Sequence, residues 1–278
     1  MPAFDTPEPI SVVLEFDLGT ARITAGKRLD TVVEVLPANA AADIDVRAAE
    51  QTKVVFSGGT LSIKGPRKRS LFGKSGALRV SVELPAGSDV RGITPMADFL
   101  CEGRFGECRI KTSMGDIQVD EATTVNLRSS WGDIRVDRVS GDAEIVGAGR
   151  IEVGEIAGAA VVKNGNGETS IGSVTGDLRA NSSNGRISVD VAHASVNARS
   201  ANGSLRVGDV TRGQVTLHTA AGDVEVGING STAAWLDVHT GAGGVHNSLG
   251  ASDGPGAAQE TVEVRARTGV GDIVIRRP

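Results

Sequence analysis

Residues 178–226 read LRANSSNGRISVDVAHASVNARSANGSLRVGDVTRGQVTLHTAAGDVEV, and one template fits them three times. The template is apolar, x, apolar, x, Ser/Thr/Asn, x, x, Gly, x, apolar, x, apolar. Its first fit is Leu178, Ala180, Ser182, Gly185, Ile187 and Val189. The second is Val196, Ala198, Ser200, Gly203, Leu205 and Val207, and the third is Val215, Leu217, Thr219, Gly222, Val224 and Val226. Apolar and polar residues alternate with period two on both sides of the glycine, which is the pattern of half-buried strands. A fixed period of this kind marks a repeat architecture.

Outward from this stretch the template continues to residue 108 on one side and to residue 275 on the other. Nine copies place register glycines at 115, 132, 149, 167, 185, 203, 222, 243 and 271, so the spacing grows from 17 to 21 and ends on 28. Two copies are imperfect. One is a residue short between Ile145 and Gly149, and another ends on Asn247 where an apolar residue is expected. The final interval contains a Gly/Ala/Ser-rich insertion, 250–258. A third apolar column follows the template at Ala122, Val139, Ile156, Val174, Ala192 and Val210. Each unit therefore turns an apolar side inward three times. A three-faced coil satisfies that demand, with rungs hydrogen-bonded at about 4.8 Å. The expected fold is all-β: a β-solenoid (β-helix-like) of about nine short rungs over residues 96–278, with an N-terminal β-rich cap over 1–95. The competing reading is an antiparallel meander, because Asn184-Gly185 and Asn202-Gly203 are strong hairpin signals. The constant period and the third column favour the coil.

Residues 8–90 lack the repeat. Strands are expected at 11–16, 31–36, 54–56, 61–63 and 78–84, with a hairpin turn at Ser57-Gly58-Gly59-Thr60. An Ala-rich segment, 40–51, is expected to form one short helix with Asn39 as its N-cap. The region would cover a strand edge that a solenoid otherwise leaves open.

Composition fits this picture. The 278 residues are 40% hydrophobic and 23% charged, with 37 glycines, six Phe, two Trp and no Tyr, so the core must be thin and aliphatic. With 29 basic and 34 acidic residues the net charge is −5, which argues against bulk nucleic-acid binding. Cys101 and Cys108 do not form a disulfide framework and read as free thiols in a reducing compartment. The first ten residues hold Asp5, Glu8 and three prolines and have neither a basic start nor an apolar segment. No run of about 20 apolar residues is present. The expected location is cytoplasmic.

These features resemble the bacterial β-strand-repeat family of putative adhesins, a domain of unknown function. The resemblance is carried by the Gly-Asp-Ile-x-Val copies at Gly115, Gly132 and Gly271, by the Asn-Gly copies at Gly185 and Gly203, and by Glu83-Leu84-Pro85-Ala86-Gly87-Ser88-Asp89-Val90 ahead of the repeats. It covers nearly the whole chain, implies a solenoid-like repeat domain and brings no catalytic residues.

Motifs of chemistry fail one by one. Gly73-Lys74-Ser75 lacks the earlier P-loop glycine, since Lys68 stands there, and a strand-like segment follows it. Asp116, Asp133, Asp223 and Asp272 suggest a calcium stack, but the same column holds Arg150 and Arg186 and reads as turn residues facing solvent. His218 and His239 occupy one template position in adjacent copies, with Asp237 and His246 nearby in sequence, yet nothing fixes a tetrahedral zinc set. Asn166, Asn184 and Asn202 precede register glycines at intervals of 18 and read as a rung-to-rung amide ladder. No cofactor, metal or small-molecule substrate is expected.

The expected function is a non-enzymatic scaffold or binding module. The alternatives are a β-helix enzyme acting on polysaccharide, disfavoured by the lack of aromatic sugar platforms, and a surface adhesin if the natural chain carries an export signal. One outward position of the template reads Lys111, Arg128, Val146, Lys163, Asn181, Arg199, His218, His239 and Arg267. Five of these nine are permanently cationic and none is acidic. The plain reading is that Asp116, Asp133, Glu168 and Asp223, across the turn, offset them. The functional reading is a basic column that docks an acidic protein or a polyanion. A second basic cluster, Lys64, Arg67, Lys68, Arg69 and Lys74 around Pro66 and Phe72, reads either as a solvated loop or as a partner contact.

Overall fold

The computed structural model describes residues 2–66, 75–250 and 260–278. The chain is nearly all-β, 70% strand and 3% helix, and solenoid-like. It divides into two compact units, Met1–Arg138 and Val139–Pro278.

In Val139–Pro278 the template copies lie in parallel register. The segments before the glycine form one face. Ala143–Gly147 pairs with Ala160–Asn164, that strand with Leu178–Asn184, and so on through Val196–Asn202 to Gly213–Ala221. The segments after the glycine form a second face, from Ile151–Ile156 through Thr169–Val174, Ile187–Ala192 and Leu205–Val210 to Val224–Ile228. Every pairing between copies is parallel, so the meander is excluded, and each Asn-Gly turns a corner between faces. The third apolar column is in register as well: Ile156, Val174, Ala192, Val210 and Ile228 meet in turn and are at most 1% exposed. Burying each such Val, Leu or Ile contributes about 1.5–3 kcal/mol relative to exposure.

Rung order departs from chain order at the C-terminal end. Glu260–Val270 pairs with Gly213–Ala221 on one side and with Thr232–Ala242 on the other. Ile273–Arg276 likewise lies between Val224–Ile228 and Val245–Asn247. The last copy is thus inserted beneath the one that precedes it in sequence. This corrects the expectation that His218 and His239 are neighbours, because Arg267 lies between them. It also accounts for Asn247. That residue belongs to the outermost rung, with a neighbour on one side only, and it is exposed.

Met1–Arg138 contains the same device. Ser11–Glu15 lies between Thr60–Lys64 and the start of Asp89–Met114, all parallel. Leu18–Gly26 lies between Ala77–Pro85 and a later stretch of Asp89–Met114. Asp89–Met114 then pairs in parallel with Ile117–Trp131. The outer strands are covered by antiparallel partners: Lys53–Ser57 on Thr60–Lys64, Asp30–Pro37 on Ala77–Pro85, and Ala3–Asp5 on Asp30–Pro37. The hairpin at Ser57–Thr60 forms as expected, with Gly58 and Gly59 at φ +57° and +72°. Strand Leu18–Gly26 was not expected, since its alternation is broken by Gly19 and Thr20. The helix is Asp43–Gln51, and its N-cap is Ala42. Asn39 instead turns the chain ahead of it, its Oδ1 accepting the Ala41 N–H at 3.0 Å.

The corner at the register glycine is where the sequence is least free. A Cβ on Gly203 would lie 2.2 Å from the carbonyl oxygen of Gly185 on the rung below, and Gly203 has φ +156°. Both the approach and the backbone conformation therefore demand glycine. The glycine carbonyls take hydroxyl donors from the next rung. Ser129 Oγ donates to Gly115 O at 2.8 Å, Thr219 Oγ1 to Gly203 O at 2.9 Å, and Thr268 Oγ1 to Gly222 O at 2.8 Å. This explains the template's buried Ser/Thr/Asn. Ser182 is the exception and its hydroxyl is buried without a partner. The carbonyl it would cap, Gly167 O, is already held by Asn164 Nδ2 at 2.9 Å.

Two outcomes follow for denaturant unfolding. Gly203→Ala should lower stability by roughly 2–5 kcal/mol, combining backbone strain with overpacking. Thr219→Val, which replaces the hydroxyl by a methyl group, should cost about 1–3 kcal/mol by taking the hydroxyl donor from the Gly203 carbonyl, whereas Ser182→Ala should stay within about 0.5 kcal/mol of the parent. Equal costs for Thr219→Val and Ser182→Ala would contradict the capping role.

Candidate interaction surface

The carboxylates that follow the register glycine do not face solvent idly. In Met1–Arg138, Asp98 Oδ1 accepts the Asp116 N–H at 2.9 Å, and Asp116 Oδ1 accepts the Asp133 N–H at 2.8 Å. In Val139–Pro278 the relay is Ser204 Oγ to Asp223 N–H at 3.2 Å, Asp223 Oδ1 to Asp272 N–H at 2.9 Å, and Asp272 Oδ1 to Gly244 N–H at 2.8 Å. It follows the spatial order of the rungs. These side chains satisfy corner amides that the strand ladder misses, a charge-assisted arrangement stronger than a neutral pair. Their oxygens are thereby committed to structure, and among the described residues no cluster of three or more His, Cys, Asp or Glu is placed to hold a metal ion.

The asparagine ladder forms. Asn184 Nδ2 donates to Asn166 Oδ1 at 3.0 Å, and Asn202 Nδ2 donates to Asn184 Oδ1 at 2.9 Å. Cys101 and Cys108 are free and buried. The adjoining Cys108 thiol and complete burial push the Cys101 pKa well above the ordinary thiol value. A thiol held protonated in this way is not a nucleophile.

The outward column of the first face is where chemistry remains available. Within Val139–Pro278 it runs Val146, Lys163, Asn181, Arg199, His218, Arg267, His239 in spatial order. Side chains on adjacent rungs lie about 5 Å apart. Lys163, Arg199, His218, Arg267 and His239 are exposed. Arg267 Nη2 contacts Asp237 Oδ2 at 3.3 Å. Among the described residues Lys163 and Arg199 have no ion pair. In Met1–Arg138, Lys111 and Arg128 are register neighbours, and Arg128 Nε donates to Asn126 Oδ1 at 3.4 Å. Lys64 is paired with Glu15 at 3.6 Å. Arg67, Lys68, Arg69, Phe72 and Lys74 lie outside the described residues.

Asp116 and Asp223 were expected to offset this column, but they are engaged with backbone amides. A further cation lies beside the column. Arg179 is exposed on the same face, in the adjacent outward column, on the rung between Lys163 and Arg199. Its signal in the sequence is the outward template position two residues earlier, which holds Arg179 in this copy. The second face behaves differently. Arg206 contacts Asp190 at 3.1 Å and Glu225 at 3.7 Å, and Arg276 contacts Glu225 at 2.7 Å. The first face pairs Arg265 with Glu263 at 2.5 Å and Arg267 with Asp237, but leaves Lys163, Arg179 and Arg199 without acidic partners among the described residues.

Fold and surface define an all-β, solenoid-like protein with exposed Lys163, Arg179 and Arg199 grouped on one face of residues 139–278. The chain belongs to the Toastrack family (DUF4097), whose model matches residues 33–276. No curated protein matches the chain. Among solved structures it is similar to a putative adhesin from Bacteroides fragilis, at 13% identity and TM-score 0.39, covering 99% of this chain and 95% of that one. It is also similar to a putative adhesin from Parabacteroides distasonis, at 10% identity and TM-score 0.38 over 98% and 95% of the two chains. A third is a putative lipid binding protein from Parabacteroides distasonis, at 13% identity and TM-score 0.32 over 99% and 95%.

The amide ladder has a measurable consequence. Asn184→Ala should destabilise by about 1 kcal/mol, and Asn184→Asp by at least as much, since a carboxylate cannot donate to Asn166 Oδ1. Unchanged urea midpoints for both variants would show that the ladder carries no energy.

Proposed function

We propose that this protein is a non-enzymatic binding scaffold that docks an acidic protein segment or another polyanion along the first face of residues 139–278. The observation that carries the reading is the contrast between faces, with Lys163, Arg179 and Arg199 grouped on three consecutive rungs without acidic neighbours. Arg179 is the diagonal neighbour of Lys163 and of Arg199 on adjacent rungs, and like charges this close repel, so folding alone gives no reason to gather them. In a chain of net charge −5 the cluster is a local exception, suited to steering a negatively charged partner. A rigid ladder presents charges at fixed spacing, which limits the entropy lost on binding. His218 and Arg267 extend the same column and would lengthen the contact.

The test replaces Lys163, Arg179 and Arg199 together by Ser and measures binding of fluorescent polyglutamate and of heparin at increasing salt. The parent should bind both probes, with affinity falling steeply as salt rises. The triple variant should lose most of the affinity and most of the salt dependence, while its melting temperature stays equal or rises because repulsion is relieved. Binding by the variant indistinguishable from the parent would reject this face as the docking site.

A further inference from the structure

Strand Thr232–Ala242 is the outermost strand of the first face in residues 139–278. It pairs in parallel with Glu260–Val270, and no other described strand pairs with it. Its inward side chains Ala234, Leu236 and Val238 are only half-buried, whereas Val262, Val264 and Ala266 on the adjoining strand are at most 2% exposed. Trp235 is 57% exposed.

Edge strands ordinarily carry protection against pairing: short length, lysine, proline or a bulge. The outer strands of Met1–Arg138 are short, three residues for Ala3–Asp5 and five for Lys53–Ser57, and the latter begins with lysine. Thr232–Ala242 has eleven residues, TAAWLDVHTGA, with no lysine, no arginine and no proline. Its register along Glu260–Val270 is unbroken except at Gly241, so no bulge twists the edge away.

The sequence of this edge is self-complementary. When two identical strands pair antiparallel about a two-fold axis, inward residues must meet inward residues, so the axis must pass through a residue position. An axis at Asp237 would set two carboxylates opposite each other, and an axis at His239 two imidazoles. An axis at Val238 avoids both. It places Val238 against its own copy, Leu236 against Thr240 and Ala234 against Ala242 on the inward side. On the outward side it places Asp237 against His239 twice, a carboxylate facing an imidazole donor. It also sets Trp235 against Gly241 twice, where an indole covers a bare glycine backbone.

We propose that Thr232–Ala242 is a homodimerisation edge, joining two copies of this chain by antiparallel strand pairing about Val238. The pairing completes the sheet of the first face, covers Leu236 and Val238, and leaves Lys163, Arg179 and Arg199 outside the contact. The inference is independent of the proposed ligand of that face.

Sedimentation velocity of the full chain, from low to high micromolar concentration, tests it. The parent should convert with concentration to a species of twice the chain mass, without larger polymers. His239→Asp sets Asp against Asp at both positions of the pair and should shift the dissociation constant at least tenfold toward monomer. The double exchange Asp237→His with His239→Asp restores opposite partners and should recover the dimer. Circular dichroism melting of each variant separates loss of pairing from loss of fold. A parent that remains monomeric throughout, or one that grows into open polymers, would overturn the proposal. So would a dimer that His239→Asp leaves intact, or one that the double exchange does not restore while the fold is retained.

Discussion

The constraint on which the rest depends is the contact between register glycines on successive rungs. At this corner the chain leaves one face and enters the next, and the carbonyl of one glycine occupies the space a side chain would need on the glycine above. Rungs can approach to hydrogen-bonding distance along the whole coil only if the corner is bare. Once it is bare, its polar groups fall outside the strand ladder and must be met otherwise. The Ser/Thr/Asn two positions past the second apolar residue meets the glycine carbonyl, and the Asp or Ser after the glycine meets the following amide. Three features of the template are therefore one feature, the closure of a single tight corner.

The rung ends obey the same physics differently. Each compact unit inserts one segment of the chain between two others: 11–26 between 60–85 and 89–103 in one, and 260–276 between 213–228 and 232–247 in the other. A strand with one open edge frays more easily than one paired on both edges. The outer rung is then a segment anchored at both of its ends by continuing chain. In Met1–Arg138 that outer rung is overlaid by antiparallel strands, whereas Thr232–Ala242 keeps a long edge without lysine, arginine or proline.

Charge is distributed with equal economy. On the second face of residues 139–278 the arginines find carboxylates, and at the corners the aspartates find amides. What remains unneutralised is concentrated on the first face around Arg179. Exposed ion pairs contribute little to stability, so this asymmetry matters little to folding.

The sequence by itself determined which residues face inward, where the corners fall, and that the copies stack in register. The period, the glycine and the third apolar column each follow from local geometry and burial. It also foretold the ladder of Asn166, Asn184 and Asn202, because equal spacing on a coil implies contact. Only the tertiary structure decided the order of the rungs. Similar copies are interchangeable as neighbours, since each offers the same apolar positions and the same backbone edge. Nothing local distinguishes stacking 260–276 on 213–228 from stacking 232–247 there. The choice is made by long-range pairing and by the length of the connection, whose only trace in the sequence is the spacing of 28 between Gly243 and Gly271. That choice places Arg267 between His218 and His239 and leaves Thr232–Ala242 outermost. It lay beyond any reading of the repeat, because a repeat specifies how a rung meets a neighbour and not which neighbour it meets.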